Sequence, residues 1–265
     1  MQGKTRIVTG ANSGIGKATA LGLAKLGVTV VMVCRNPRKG EAAMAEIKAQ
    51  SGNESVDLMI ADLSSQQSIR QLVADFTDRY QRLHVLINNA GLHLSRRFVT
   101  ADGIETTFAV NHLASFLLTN LLLDVLKASA PARIVNVTSS AHSRTMDFDN
   151  LQGEKQYNGM QTYTQSKLAN ILFTYELARR LEGTGVTVNC LHPGTVRSGL
   201  QRNLPRIFRL LRLFFATPEK GAETSIYLAS SPEVEGVSGK YFSDKRRPNH
   251  PRVLMIRQPP NGYGR

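Results

Sequence analysis

Short apolar runs alternate with amphipathic segments along most of the chain. The segment 28–34 is almost continuously apolar, which is typical of a parallel strand buried on both faces. The runs predict strands at Thr5–Thr9, Val28–Cys34, Val56–Ile60, His84–Asn88, Arg133–Thr138 and Val186–Leu191. Helical segments such as Ile15–Leu26 lie between them, and Gly27 and Gly185 mark returns to the sheet. With right-handed crossovers, this order predicts an α/β fold with a doubly wound parallel sheet and helices on both faces.

The length and composition favour one domain. The 265 residues are 42% hydrophobic, and no linker interrupts the alternation, so we predict a domain over 1–243 and a basic, flexible tail over 244–265. Cys34 and Cys190 lie in apolar strands and are interpreted as buried thiols. No metal site is predicted. With no cysteine framework and the first strand starting at Thr5, we expect a cytoplasmic protein without a signal peptide or N-terminal membrane helix.

The net charge of +13 is concentrated in two places. Residues 197–220 and 244–265 each carry +5, so the basicity belongs to one insertion and the tail. No nucleic-acid-binding motif accompanies these segments, and we expect no nucleic-acid partner.

A glycine-rich turn joins the first strand to the first helix, with the spacing Gly-x-x-x-Gly-x-Gly. Gly10 suits the tight turn, Gly14 lets the backbone approach a pyrophosphate, and Gly16 lets helix and strand pack closely. The helix N-terminus then offers free N–H groups to phosphate. The turn therefore predicts a dinucleotide site in a Rossmann-type sheet, formed by Gly10, Asn12, Ser13, Gly14, Ile15 and Gly16.

The end of the second strand indicates which dinucleotide is bound. NAD-binding proteins usually carry a carboxylate here for the ribose hydroxyl, yet no Asp or Glu occurs between Val28 and Gly40. Arg35 stands there instead, and a guanidinium suits a 2′-phosphate. The sequence therefore predicts NADP, with Lys17 as a second contact. Arg38 and Lys39 are equally explained as a solvated start of the next helix.

Tyr163 and Lys167 stand four residues apart in a helical segment and so share one face. A neighbouring ammonium favours the phenolate and is expected to lower the tyrosine pKa. Ser139 follows one predicted strand, and polar or small residues follow most of the others, at the sheet edge where ligands bind. The pair therefore suits acid–base chemistry, with Ser139 at the edge of the sheet where ligands bind.

Together these motifs resemble the short-chain dehydrogenase/reductase family over roughly residues 4–243. The resemblance implies that Tyr163 exchanges a proton with the substrate oxygen, Lys167 tunes Tyr163 and binds the nicotinamide ribose, and Ser139 or, alternatively, Ser140 bonds the substrate oxygen. It implies that Asn111 anchors a water of a proton relay. The further cofactor contacts that it implies are Asp62, Leu63, Asn88, Ala90, Gly91, Pro193, Gly194, Thr195 and Val196, besides Tyr163 and Lys167.

Within the family, the segments Leu151–Lys155, Ser166–Asn170, His192–Val196 and Ser238–Asp244 look like the retinol dehydrogenase branch. That resemblance implies NADP and a retinoid or another apolar aldehyde as substrate. The chain departs from the branch from Lys245 to Arg265, where a basic, proline-rich end replaces the helix that the resemblance implies.

The segment of about 197–220 is predicted to be a substrate lid, with a helix over Pro205–Phe215. One face of that helix is apolar and the other carries arginines. Two interpretations stay open: the arginines are solvated, or they dock the lid on an anionic membrane. Subunit number is also open, because the faces of the helices holding Asn111 and Tyr163 suit either a homo-oligomer or an intramolecular core.

The sequence thus predicts hydride transfer between nicotinamide and a carbonyl or alcohol, with reduction as the expected direction. One alternative is a non-catalytic NADP-binding redox sensor, although such proteins usually lose the tyrosine or lysine, and both are present here. A basic adaptor for nucleic acid or membrane would rest only on segments 197–220 and 244–265.

Overall fold

A computed structural model of the chain describes residues 3–196 and 216–246. The predicted lid helix Pro205–Phe215 and the tail from residue 247 onward lie outside the described residues. Seven parallel strands form one sheet in the order β3-β2-β1-β4-β5-β6-β7. The strands are β1 Thr5–Thr9, β2 Thr29–Cys34, β3 Val56–Ile60, β4 Val85–Asn88, β5 Ala132–Val137, β6 Val186–His192 and β7 Lys240–Ser243.

Helices connect successive strands. They are α1 Gly14–Ala24, α2 Pro37–Ser51, α3 Gln66–Arg79, α4 Thr106–Phe108, α5 Ala114–Leu121, α6 Leu123–Ala128, α7 Gly159–Arg180 and α8 Pro218–Ser230. A π-helix, Ala109–Leu113, joins α4 to α5, and short 3-10 turns occur at Phe148–Asn150 and Pro232–Val234. Among the residues described, no helix is long and apolar enough to cross a membrane.

The strand side chains alternate between two cores because successive residues of a strand point to opposite faces. On β1, Ile7 packs in a core with Phe76 of α3 and Leu177 of α7. Its neighbour Val8 packs on the other face with Leu23 of α1 and Leu228 of α8. The doubly wound prediction is therefore confirmed, with helices on both faces.

The strand order reverses at β1, because β2 lies on one side of it and β4 on the other. Connections from neighbouring strands leave in opposite directions at this point and open a crevice at the carboxyl ends. The glycine-rich turn after β1, the end of β2 and the loop after β4 all reach this crevice.

Candidate functional site

The turn after β1 has the backbone that its glycines predict. Gly10 and Gly14 have φ angles of 66° and 55°, in the region that favours glycine. An added Cβ at Gly16 would lie 2.3 Å from the Gly10 carbonyl oxygen, so only glycine fits there. Ser13 caps α1 without a side-chain hydrogen bond, and the first N–H groups of α1 therefore face the crevice without a capping side chain.

A cavity of about 360 Å³ fills this crevice. Most of the predicted cofactor residues line it, and these are Gly10, Asn12, Ser13, Gly14, Ile15, Gly16, Arg35, Asp62, Leu63, Ala90 and Gly91. Arg35 stands at the rim, at the end of β2. Lys17, the predicted second contact of the 2′-phosphate, does not line this cavity. Its ammonium group is paired with Glu46 of α2.

The side chain of Asn88, a residue predicted to line the cofactor, points into the core rather than into this cavity. Asn88 is 4% exposed, and its Nδ2 donates to Thr119 Oγ1 at 3.0 Å and to Asn136 Oδ1 at 2.8 Å, inside the core. The next residue, Asn89, lines the cavity instead, and its Nδ2 donates to the Thr9 carbonyl at 2.8 Å. Successive side chains of a strand point to opposite sides, so Asn88 points into the core while Asn89 points into the cavity.

A second cleft, of about 330 Å³, adjoins the first and shares Ile15, Asn89, Gly91 and His93 with it. Four of its other lining residues are those predicted after β6, namely Pro193, Gly194, Thr195 and Val196. Ser139, Ser140, Tyr163 and Lys167 line the same cleft. The structure therefore brings the predicted acid–base residues and the predicted cofactor residues to one continuous opening.

Tyr163 faces Ser139 in this cleft. Burial raises the pKa of Tyr163 above its ordinary value of 10, and a hydrogen bond with the Ser139 side chain partly opposes that rise. Ser140 is exposed, whereas Ser139 is half-buried and in contact with the phenol. Of the two serines, Ser139 therefore has the geometry to act with Tyr163.

Lys167 is buried one helical turn from Tyr163. Its Nζ lies 5.6 Å from the centre of the Tyr163 ring and donates to the Val137 carbonyl at 3.2 Å. Burial alone lowers the pKa of Lys167 to about 8. The sequence-based expectation of a lowered Tyr163 pKa is therefore not met in this structure, where burial is the largest influence on both groups.

Asn111 lies in the π-helix, where it is fully buried. Its Nδ2 donates to the Leu92 carbonyl and to Ser166 Oγ, both at 3.0 Å, and its Oδ1 accepts from the Leu92 N–H at 2.8 Å. The side chain thus ties the loop after β4 to α7. Both N–H donors of the Asn111 amide are used in these bonds, so the predicted relay water would have to donate to an oxygen of Asn111.

Sequence analysis missed several residues of the cleft, among them His93 and Met160. His93 lines both cavities, and its ring meets the Tyr163 ring edge-on with centroids 5.9 Å apart. Met160, on the first turn of α7, lines the cleft and is 56% exposed. His93 could have been predicted, because it follows the predicted cofactor residue Gly91 by two positions. Met160 could not, because only the fold brings the first turn of α7 to the cleft.

The chain is similar to known proteins over most of its length. Residues 4–206 match the short chain dehydrogenase family. Retinol dehydrogenase 14 of Homo sapiens is 49% identical over 265 residues, which cover 92% of this chain and 79% of that protein. Retinol dehydrogenase 11 of Mus musculus is 50% identical over 248 residues, covering 92% of this chain and 78% of that protein.

Solved structures share the fold at lower identity. A dehydrogenase/reductase from Sinorhizobium meliloti 1021 is 26% identical with a TM-score of 0.74, covering 92% of this chain and 94% of its own. The Pseudomonas aeruginosa RhlG/NADP active-site complex is 26% identical with a TM-score of 0.75, covering 92% of this chain and 95% of its own. The family match and the identities near one half show that this chain belongs to the short-chain dehydrogenase family, in the branch that contains the retinol dehydrogenases.

Proposed function

We propose that this oxidoreductase uses NADP(H) and interconverts an apolar aldehyde or ketone with its alcohol. The observation that carries the proposal is the position of Ser139, Tyr163 and Lys167 where the glycine-lined cavity meets the second cleft. The substrate oxygen would lie between Ser139 and Tyr163, and the cofactor in the cavity of the β1 turn.

The residues of the first cavity fit a dinucleotide phosphate. A Cβ at Gly16 would collide with the Gly10 carbonyl, so glycine is needed for helix α1 to pack closely on the turn. The N-terminus of α1 has no capping side chain, and its N–H groups can donate to a pyrophosphate. Arg35 at the rim is suited to a 2′-phosphate, with no acidic residue between Val28 and Gly40 to favour a bare ribose. The structurally similar RhlG complex carries NADP in its name, which supports the same cofactor here. When bound, NADP(H) supplies or accepts the hydride.

Tyr163 would supply the proton for carbonyl reduction. Because burial raises its pKa above 10, the phenol stays protonated through neutral pH and can donate to the oxygen as negative charge develops there. Ser139 would donate a hydrogen bond to the same oxygen and orient the carbonyl. Lys167 would bind the nicotinamide ribose and, when charged, favour the phenolate that remains after proton transfer.

An apolar substrate fits the rest of the cleft. Met160 is 56% exposed there, and Ile15, Ala141 and Val196 line its walls. The relatives at 49% and 50% identity are retinol dehydrogenases, which supports retinoids as the first class to test. The alternative of a non-catalytic sensor is not favoured, because Tyr163 and Lys167 are both present in the cleft.

The test is cofactor oxidation followed through the nicotinamide absorbance, with all-trans-retinal and a panel of aldehydes and ketones. We expect turnover with NADPH to exceed turnover with NADH, and Tyr163→Phe to lose it. Tyr175→Phe is the matched control, because it removes a phenol from the same helix away from the cleft. Tight NADPH binding without reduction of any carbonyl would contradict the proposal.

A further inference from the structure

The main-chain carbonyl of Asn111 has a buried partner on another helix. In the π-helix, Asn111 lies opposite Asn170 of α7, and the Asn170 Nδ2 donates to the Asn111 carbonyl at 2.7 Å. Asn170 is 3% exposed and Asn111 is fully buried, so this hydrogen bond lies in the protein interior. π-Helical turns inside α-helices are frequently found at functional sites.

The orientation of the Asn170 side-chain amide is set by a partner at each end, the Asn111 carbonyl at Nδ2 and His112 Nδ1, which lies 2.9 Å from Oδ1. The main-chain carbonyl of Asn170 separately accepts from Thr174 Oγ1 at 2.8 Å. Thr174 Oγ1 in turn accepts from Asn136 Nδ2 on β5 at 2.9 Å. A flipped amide would turn Oδ1 toward the Asn111 carbonyl, placing two acceptors against each other. The network therefore holds the Asn170 donor in one direction.

Asn111 transmits this position to the cleft. Its Nδ2 donates to Ser166 Oγ, and Ser166 Oγ donates to the Tyr163 carbonyl at 2.6 Å. On the other side, a Cβ added to Gly91 would lie 3.4 Å from both Asn111 Oδ1 and Lys167 Nζ. The Asn111 side chain and the Lys167 ammonium group therefore both pack against the loop after β4 at Gly91.

We propose that Asn170 is a positioning residue, which holds the Asn111 turn so that Lys167 and Tyr163 keep their alignment in the cleft. The inference rests on the proposed function but concerns a residue that touches neither substrate nor cofactor. Buried hydrogen bonds of this kind rigidify a core, and the Asn170 amide has a partner at both its oxygen and its nitrogen. A displacement of about 1 Å in a catalytic group can lower a rate up to about a hundredfold.

The test compares Asn170→Leu with the wild type. Leucine keeps the approximate volume and removes the donor. We expect kcat to fall about tenfold or more, with a smaller rise in the NADPH Kd because Lys167 is one of many proposed cofactor contacts. We also expect the acidic limb of alcohol oxidation to move to higher pH, since a displaced Tyr163 loses the Ser139 hydrogen bond that lowers its pKa. The other titratable groups facing this cleft, His93 from the β4 loop and His192 from β6, are the same in both proteins.

A second readout does not depend on turnover. Tyrosine labelled with ¹³C at Cζ reports the Tyr163 phenol pKa by NMR, with Tyr163→Phe as the assignment. We expect a higher Tyr163 pKa in Asn170→Leu than in the wild type. If the wild type reduced no carbonyl, the proposed function would fail, while this titration would still test the positioning role.

Two more variants complete the experiment. His112→Phe removes the partner of Asn170 Oδ1 in a pocket already formed by Phe108, Phe116 and Phe173, so it should fold and show smaller changes in the same direction. It also decides the question if Asn170→Leu does not fold. Thr119→Val removes the hydrogen bond between Thr119 and Asn88, which lies farther from the cleft. It should lower stability without moving the pH profile. A folded Asn170→Leu with wild-type kcat and Tyr163 pKa would overturn the proposal, as would equal changes in Thr119→Val.

Discussion

Lys167 is 4% exposed, so its ammonium group lies inside the protein. It donates a hydrogen bond to the Val137 carbonyl, and burial is what lowers its pKa. Burying a charge without a counter-charge is unfavourable, and this is why its pKa falls from 10.5 to about 8. We therefore predict that Lys167→Met abolishes activity and makes the protein more stable.

The size of the gain follows from that shift. A fall from 10.5 to about 8 corresponds to about 3 kcal/mol at neutral pH, at about 1.4 kcal/mol for each tenfold change. Methionine keeps most of the apolar stem but leaves the Val137 carbonyl without its donor, which costs about 1 kcal/mol. The net gain is about 2 kcal/mol in the free energy of unfolding, or roughly 4–8 °C in Tm for a chain of this length.

The gain should also depend on pH in a defined direction. Between pH 8 and 10.5 the unfolded chain binds the lysine proton that the folded protein has released, so the stability of the wild type rises across this window. The advantage of Lys167→Met is therefore fully present below pH 8 and shrinks as the pH rises toward 10.5. Urea unfolding at several pH values measures this, with the exposed Lys25→Met as control. A Lys167→Met protein that is less stable than the wild type at pH 7, or whose advantage ignores pH, would refute the reasoning.

Three further predictions concern the cofactor turn and the packing around the site. Arg35→Ser should raise the NADPH Kd about tenfold or more while leaving the NADH Kd nearly unchanged, as measured by fluorescence titration; equal losses for both cofactors would exclude a 2′-phosphate contact. Gly16→Ala places a Cβ 2.3 Å from a backbone carbonyl, so it should lower both Tm and NADPH affinity more than Gly22→Ala, whose Cβ meets the movable end of Ile226. Glu105 is fully buried and accepts from the Thr107 and Phe108 N–H groups and the Tyr157 hydroxyl. Glu105→Gln replaces one acceptor oxygen with a donor and should cost about 1–3 kcal/mol in urea unfolding, more than Tyr157→Phe; an equal or smaller cost would argue against a capping role.

The strands were predictable because each buried one is a compact apolar run. Their observed bounds lie within one residue of those predicted, as for Val85–Asn88 against His84–Asn88. The edge strand Lys240–Ser243 was not predicted as a strand, since only its two central residues are apolar and the signal is too short.

Much of the site was also accessible from sequence, because parallel strands bring their carboxyl ends to one edge. Side-chain direction at the end of a strand was not, and this explains the exchange of Asn88 for Asn89. The role proposed for Asn170 depends on a partner 59 residues away and on a π-helical turn, neither of which has a local pattern. Contacts of this kind are set by tertiary packing.

The central claim, hydride transfer from NADPH to an apolar carbonyl with Tyr163 as the proton donor, is tested most directly by isotope transfer. NADPH deuterated at nicotinamide C4 is incubated with all-trans-retinal and the aldehyde and ketone panel, and the alcohols are analysed by mass spectrometry. We predict that one deuterium appears on the carbinol carbon with the wild type and not with Tyr163→Phe. Alcohol formed without deuterium from either C4 face, or deuterium transfer that survives in Tyr163→Phe at the wild-type rate, would contradict the account.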